Sequence, residues 1–211
     1  MLLPRTLRAG AVALAALLVI AAAPAHAQGV SAKDFVQNVG NTAIKDLTDK
    51  SLPDRERVKR MRQFLRNNFD EPAVSRFVLG TYWNRATPEQ RAEFQRLYEI
   101  IVAHNYAGLF KKYSGQTFQV QSDRTIDDKS AVVYAQINQT NGAPPIPVEL
   151  QVDRDDSVWK ATDIKVDGVS MPQTHRKEYS SVISRSRNGL DGLLEAMRTK
   201  AKELEAAEPS E

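Results

Sequence analysis

The sequence predicts an α+β chain: helices first, then a four-stranded antiparallel sheet, then helices again. From Ser31 to about Tyr113, apolar residues recur at three- and four-residue spacing, which lines one face of each helix. After Gly115 the period drops to two, as in strands with one buried face. From Ser170 the helical spacing returns. Helices and strands that segregate along a chain, rather than alternate, belong to the α+β class and pack as layers.

The first helix runs from Ser31 to near Thr48, with Phe35, Val36, Val39, Ala43, Ile44 and Leu47 on its apolar face. Ser51-Leu52-Pro53-Asp54 reads as a cap with Pro just inside the second helix, whose stripe is Val58, Met61, Leu65 and Phe69. Its other face, with Arg55, Arg57, Lys59, Arg60, Arg62 and Arg66, reads as a solvated basic face interrupted by Glu56. Asp70 and Pro72 open a short helix carrying Val74, Phe77 and Val78, and Gly80 stops it. Thr87-Pro88-Glu89-Gln90 is a capping box with Pro at the first helical position, and it starts one long helix to about Tyr113.

Strands follow around Phe118 and Val120, over Ala131 to Gln139, over Ile146 to Val152, and from Val158 to Val166. Arg154-Asp155-Asp156-Ser157 has the composition of a hairpin turn, and Asp167-Gly168 turns the chain from the last strand into a helix carrying Tyr179, Val182 and Ile183. Asn188-Gly189 breaks that helix before Leu190, Leu193, Leu194 and Met197. The tail KAKELEAAEPSE carries no apolar stripe and is expected to fray, with the folded domain ending at residue 205 and the tail proper at 206–211.

Arg5 and Arg8 precede the apolar run AVALAALLVIAAA and the small-residue site Ala25-His26-Ala27, the pattern of a secretory signal peptide over residues 1–27. The run is shorter than the roughly 20 apolar residues a spanning helix needs. Cleavage is expected after Ala27, leaving one domain over 28–205 in an exported chain. Both basic residues of the leader leave with it, so the formal net charge of +3 overstates the basicity of the remainder and argues against nucleic acid as a partner. The 211 residues include no Cys, which excludes disulfides, thiol catalysis, thiolate metal sites and a lipoprotein anchor.

Most catalytic signatures are absent: there is no G-x-S-x-G elbow, no phosphate-cradling Gly-rich loop and no H-E-x-x-H. Beyond the leader, only His104 and His175 remain, and both read as surface or packing residues rather than metal ligands. The supply of apolar stripes is large for a small sheet, leaving a solid core or a cleft between sheet and helices as alternatives.

The stretch from Trp159 to Tyr179 carries a W-K-x-x-D-x-x-x-x-G-V-S run followed by a polar helix with Arg176 and Tyr179. Phe77-Val78-Leu79-Gly80 before Trp83, and the helix from Thr87-Pro88-Glu89-Gln90-Arg91 through Phe94 to Tyr106 and Tyr113-Ser114-Gly115, accompany it. Together these stretches resemble the MlaC family of periplasmic phospholipid carriers, also called toluene-tolerance auxiliary components of ABC transporters. The resemblance implies a curved antiparallel sheet packed against a helical subdomain with an apolar cavity between, and a non-enzymatic shuttle without cofactor. It further implies a phospholipid ligand, exchanged between an inner-membrane ABC transporter complex and an outer-membrane lipoprotein complex; a related branch is linked to hopanoids.

Exposing acyl chains to water costs roughly 0.8 kcal/mol per methylene, so a diacyl lipid free in water is disfavoured by roughly 20 kcal/mol or more. An aqueous compartment therefore requires a lined carrier. Strand parity and helix stripes nominate Val132, Tyr134, Val148, Leu150, Val152, Ile164 and Val166 from the sheet as lining residues. Phe77, Tyr82, Trp83, Ile101, Tyr106 and Phe110 complete the wall from the helices, with Arg176 and Lys177 near a lipid headgroup. Parity puts Trp159 on the opposite sheet face as a packing anchor. The rival from another class is a proton-transfer enzyme using Asp163 with Tyr106 or Tyr134.

Overall fold

In the computed structural model, which describes residues 30–155 and 158–207, helix α1 (Ala32–Leu47) begins where the Ser31 side chain accepts a hydrogen bond from the Asp34 amide. The leader, residues 156–157 of the hairpin turn and the last four residues lie outside the described residues. Helix α2 (Asp54–Asn68) has Pro53 at its cap position rather than just inside the helix, and no side-chain cap, because the proline side chain offers no acceptor; Ser51 donates to the Asp49 carboxylate instead. Helix α3 (Glu71–Leu79) is capped by Asp70 and ends at Gly80, whose φ of 55° needs glycine. A 3-10 helix not expected from the sequence (Gly80–Arg85) then leads to α4 (Pro88–Lys111), where both halves of the Thr87–Gln90 capping box are formed.

Strands β1 (Thr117–Thr125), β2 (Ser130–Asn138), β3 (Ile146–Asp155) and β4 (Val158–Val166) form the antiparallel meander expected from the sequence. A fifth strand of two residues, β5 (Val169–Ser170), folds back on β4. Asp167 and Gly168 both have positive φ, 52° and 77°, the conformation of a two-residue hairpin turn of the primed type. Ser170 is thus the last strand residue and the N-cap of α5 (Met171–Arg185), accepting from the Gln173 amide. Helix α6 (Leu190–Ala206) follows; within the expected frayed tail, Ala201 is buried and Leu204 packs on the helical core, so the helix is held to Ala206.

Two parity expectations are corrected by the sheet. In β2 the inward residues are Ala131, Val133 and Ala135, paired with Val152, Leu150 and Val148, whereas Val132 and Tyr134 pair with Gln151 and Glu149 on the opposite face. The inward row is small, and α1 packs against β1 and β2 with Ala32 and Val36 in the same cluster. In β4 the register shifts between Gln151 and Val152, leaving Thr162 as the extra residue of a bulge. The bulge reverses alternation, so Trp159 and Ala161 share the inward face with Ile164 and Val166. Trp159 is an anchor all the same: its indole donates to the Val30 carbonyl at 2.8 Å, and Arg154 lies 5.3 Å from its ring.

Gly40 lets α1 approach β1, since a Cβ there would fall inside the Phe118 ring. Gly40→Ala is expected to destabilise by about 1–3 kcal/mol through overpacking, outweighing the roughly 1 kcal/mol of helix propensity gained. Thermal unfolding of the variant checks this.

Among the described residues, most buried apolar side chains fall into three clusters. One joins α3, α4, α5 and α6 around Phe94, Leu97 and Leu193; one joins α1 to the sheet around Val133, Leu150 and Val152; the third joins α1, α2 and α4 around Leu47, Met61 and Ala103. The longest helix, α4, takes α2 and α6 as its principal neighbours, whereas the helices against the sheet are mainly α1, α5, α2 and α3.

Candidate functional site

The residues nominated as lining separate into groups. Val148, Leu150, Val152 and Ile164 come together on the inward face of the sheet, with Val166 half-buried beside them in register with Val148. Trp83 and Ile101, with Tyr82 packed against them, belong to the helical cluster. Tyr106 and Phe110 are half-buried at the edge of the third cluster. Val132 and Tyr134 face away from these walls, and Phe77 is 43% exposed. The apolar stripe of α3 is narrower than the spacing implied: Val74, Val78 and Leu79 fill it without Phe77.

A cavity of about 260 Å³ lies between α4, α5 and α6, lined by Ile101, Val102, Asn105, His175, Glu178, Tyr179, Val182, Leu193, Ala196, Met197 and Lys200. It is smaller than the roughly 300–1,000 Å³ of pockets that enclose drug-sized ligands, too small to enclose a diacyl lipid. His175, Glu178, Tyr179 and Val182 share one face of α5 by their helical spacing, which turns Lys177 to the other side and leaves Arg176 on the flank. Neither cation lines this cavity. The Arg176 guanidinium sits 5.0 Å from the Phe77 ring, and Lys177 is exposed.

His175 is the polar centre of this region and its significance was missed from sequence, where a lone histidine reads as surface or packing. Its Nδ1 is hydrogen-bonded to the Tyr98 hydroxyl at 2.8 Å and its Nε2 to the Tyr106 hydroxyl at 3.4 Å, so both ring nitrogens are engaged. Tyr179 stacks on the imidazole at 6.2 Å, and Tyr98 meets it edge-on at 5.6 Å. The i, i+8 spacing of Tyr98 and Tyr106, two turns of one helix, is the only signal in the sequence that the two hydroxyls share a face.

Burial holds the His175 imidazole below its ordinary value, against the opposing pull of the Glu178 charge. Burial also raises the Tyr98, Tyr106 and Tyr179 hydroxyls above theirs, so all three tyrosines are neutral donors and acceptors. Above the ordinary histidine value of 6.5, folded and unfolded chains both keep the imidazole neutral; below it the unfolded chain takes up a proton that the folded chain resists. Stability from this group is therefore present at neutral pH and lost as pH falls. Melting temperatures compared at neutral and mildly acid pH should drop more for the wild type than for His175→Gln.

Asp163 is committed elsewhere. It pairs in register with Gln151, opposite to the Leu150–Ile164 face, and accepts a 2.8 Å hydrogen bond from the Ser170 hydroxyl that caps α5. That gives the carboxylate a role in seating α5 on the sheet and separates it from the inward wall. Among the described residues no cluster of potential ligands could hold a metal ion, and no helix is long and apolar enough to cross a membrane.

Comparison with known proteins agrees with this architecture. The family profile described as "MlaC protein" matches residues 37–199. The intermembrane phospholipid transport system binding protein MlaC of Haemophilus influenzae is 27% identical over 129 residues, 60% of this chain and 59% of its own length. The toluene tolerance protein ttg2D of Pseudomonas putida is 26% identical over 143 residues, 67% of this chain and 66% of its own length. The chain thus spans 59% and 66% of the length of these two relatives. A solved structure of the phospholipid-binding protein from Ralstonia solanacearum, in complex with a phospholipid, superposes with a TM-score of 0.72 at 24% identity, over 83% of this chain and 99% of that one, and shares the fold. With a family profile matched from residue 37 to residue 199 of 211, the chain belongs to the MlaC family.

Proposed function

We propose that this chain is a lipid carrier: it holds the acyl chains of a phospholipid in an apolar hollow between the sheet and the helices and moves it through water between membranes. The observation that carries this reading is the division of most buried apolar side chains into three clusters. A solid domain usually has one contiguous core with minor satellites. Here the sheet cluster and the main helical cluster are separate, and the longest helix rests chiefly on other helices. In this reading Val148, Leu150, Val152, Ile164 and Val166 form the sheet wall, and Tyr106 and Phe110 face them from α4.

The phospholipid named for the Haemophilus relative and bound in the Ralstonia structure supports a phospholipid as guest. The leader read from the sequence supports the periplasm as the compartment and residues 28–205 as the carrier domain. The Haemophilus relative is named as the binding protein of an intermembrane phospholipid transport system, which supports a route with further components; the inner-membrane ABC transporter and the outer-membrane lipoprotein complex are the partners that the family resemblance implies. Because a bilayer interior is as apolar as the hollow, transfer of the tails is close to neutral, and direction must come from those partners. No chemical step is assigned to the chain, since Asp163 serves the α5 cap.

Transfer of a fluorescent phospholipid from donor to acceptor vesicles tests the reading. The protein should accelerate transfer in proportion to its concentration; an unchanged rate with folded protein counts against it. Preference for a hopanoid over the phospholipid in the same assay would assign the chain to the other ligand branch.

A further inference from the structure

We propose that the surface formed by α3 and the N-terminal half of α5 docks this protein onto a membrane surface bearing anionic phospholipid headgroups. Residues 72–88 and 168–177 contain no Asp or Glu, yet they carry Arg76, Arg85, Arg176 and Lys177. These stretches lie far apart in the chain, but α3 and α5 pack against each other. The joint is tight: Arg176 lies over the Phe77 ring at 5.0 Å, and a Cβ on Gly80 would meet its Nη2 at 2.9 Å.

Among the described residues no carboxylate forms an ion pair with Arg76, Arg85, Arg176 or Lys177, although elsewhere Arg66, Lys111, Lys165 and Arg198 all have one. The whole chain is close to balance, with 29 basic and 26 acidic residues, so this concentration is local rather than a consequence of overall charge. In the middle of it Phe77 is 43% exposed on a helix whose other large apolar residues are buried. Val169, 51% exposed, stands on β5 where α5 begins.

An exposed apolar ring fringed by cations matches the headgroup layer of a bilayer, where the ring reaches the acyl boundary and the cations meet phosphates. The planar guanidinium fork also fits phosphate oxygens in pairs. An acidic protein surface would satisfy the cations but not the exposed ring.

The test is cosedimentation of the purified protein with vesicles of phosphatidylcholine alone or with phosphatidylglycerol added. Binding is expected only with phosphatidylglycerol and should weaken with added salt. At about five-fold per surface cation, Arg76→Gln combined with Lys177→Gln should weaken it about 30-fold without lowering the melting temperature, and Phe77→Ser should weaken it further. A protein whose hollow is filled by Ile164→Trp and Val166→Trp should bind the vesicles as the wild type does. Binding lost with the filled hollow would mean cargo capture rather than docking, and would overturn the proposal. So would equal binding to both vesicle types, binding to neither, or undiminished binding after the two Gln substitutions.

Discussion

Arg57→Leu is expected to destabilise the fold by about 2–5 kcal/mol, the cost of leaving the carbonyls it serves without donors. The side chain is 1% exposed and its guanidinium donates to three carbonyls: Leu47, Asp49 at 2.8 Å and Leu52 at 3.0 Å. Leu47 is the last residue of α1, so the side chain both caps that helix and ties down the loop to α2. Leucine restores volume but leaves buried carbonyls without donors, at about 1–3 kcal/mol each. At about 2–4 °C per kcal/mol for a chain of this size, the melting temperature should fall by about 10 °C. Arg57→Lys should recover only part of the loss, because one ammonium cannot reproduce the planar fork. A change below about 1 kcal/mol in denaturant unfolding would mean that water replaces the guanidinium and that the buried network contributes little.

The second large effect is expected on cargo rather than on stability. Ile164 and Val166 are half-buried, whereas their direct partners across the β3–β4 pair, Leu150 and Val148, are 2% and 3% exposed. In the proposed carrier reading the hollow therefore lies above the C-terminal half of β4 rather than above β3. Replacing both residues with Trp extends the side chains into that space and should reduce bound lipid at least about tenfold, equivalent to about 1.4 kcal/mol of binding. Overpacking at two partly open sites should cost less than about 3 kcal/mol of stability. A charge at Leu150 could not make the distinction, since an unpaired buried charge would unfold the protein. Unchanged lipid content, or lipid and stability falling together, would return Ile164 and Val166 to ordinary core.

Local chemistry made much of this fold legible in the sequence. The Thr87–Gln90 box, the Asp70 cap with Pro72, the Gly80 stop and the Asp167-Gly168 turn each depend on a few neighbouring residues, and each stands where the sequence put it. What depended on distant partners was not legible. The bulge at Thr162 reverses the face of Trp159 without any local signal, and β2 turns its small residues inward because α1 lies close. Arg57 reads as one member of a basic face, but it lies beside Val58 at the edge of the apolar stripe, and the loop from Leu47 to Leu52 folds over it. Of the residues nominated for the site, those of β3 and the end of β4 share one face of the sheet. Phe77, Val132 and Tyr134 do not join it, because apolar character identifies what can be buried but not which neighbour covers it. His175 gains its meaning only when α5 folds against Tyr98 and Tyr106.

The carrier account meets its most direct test in the lipid the protein brings with it from its own compartment. Protein purified from there without added detergent, extracted with organic solvent and analysed by mass spectrometry, should yield phospholipid in fixed proportion to protein. Well-folded protein that repeatedly yields no lipid would contradict the account.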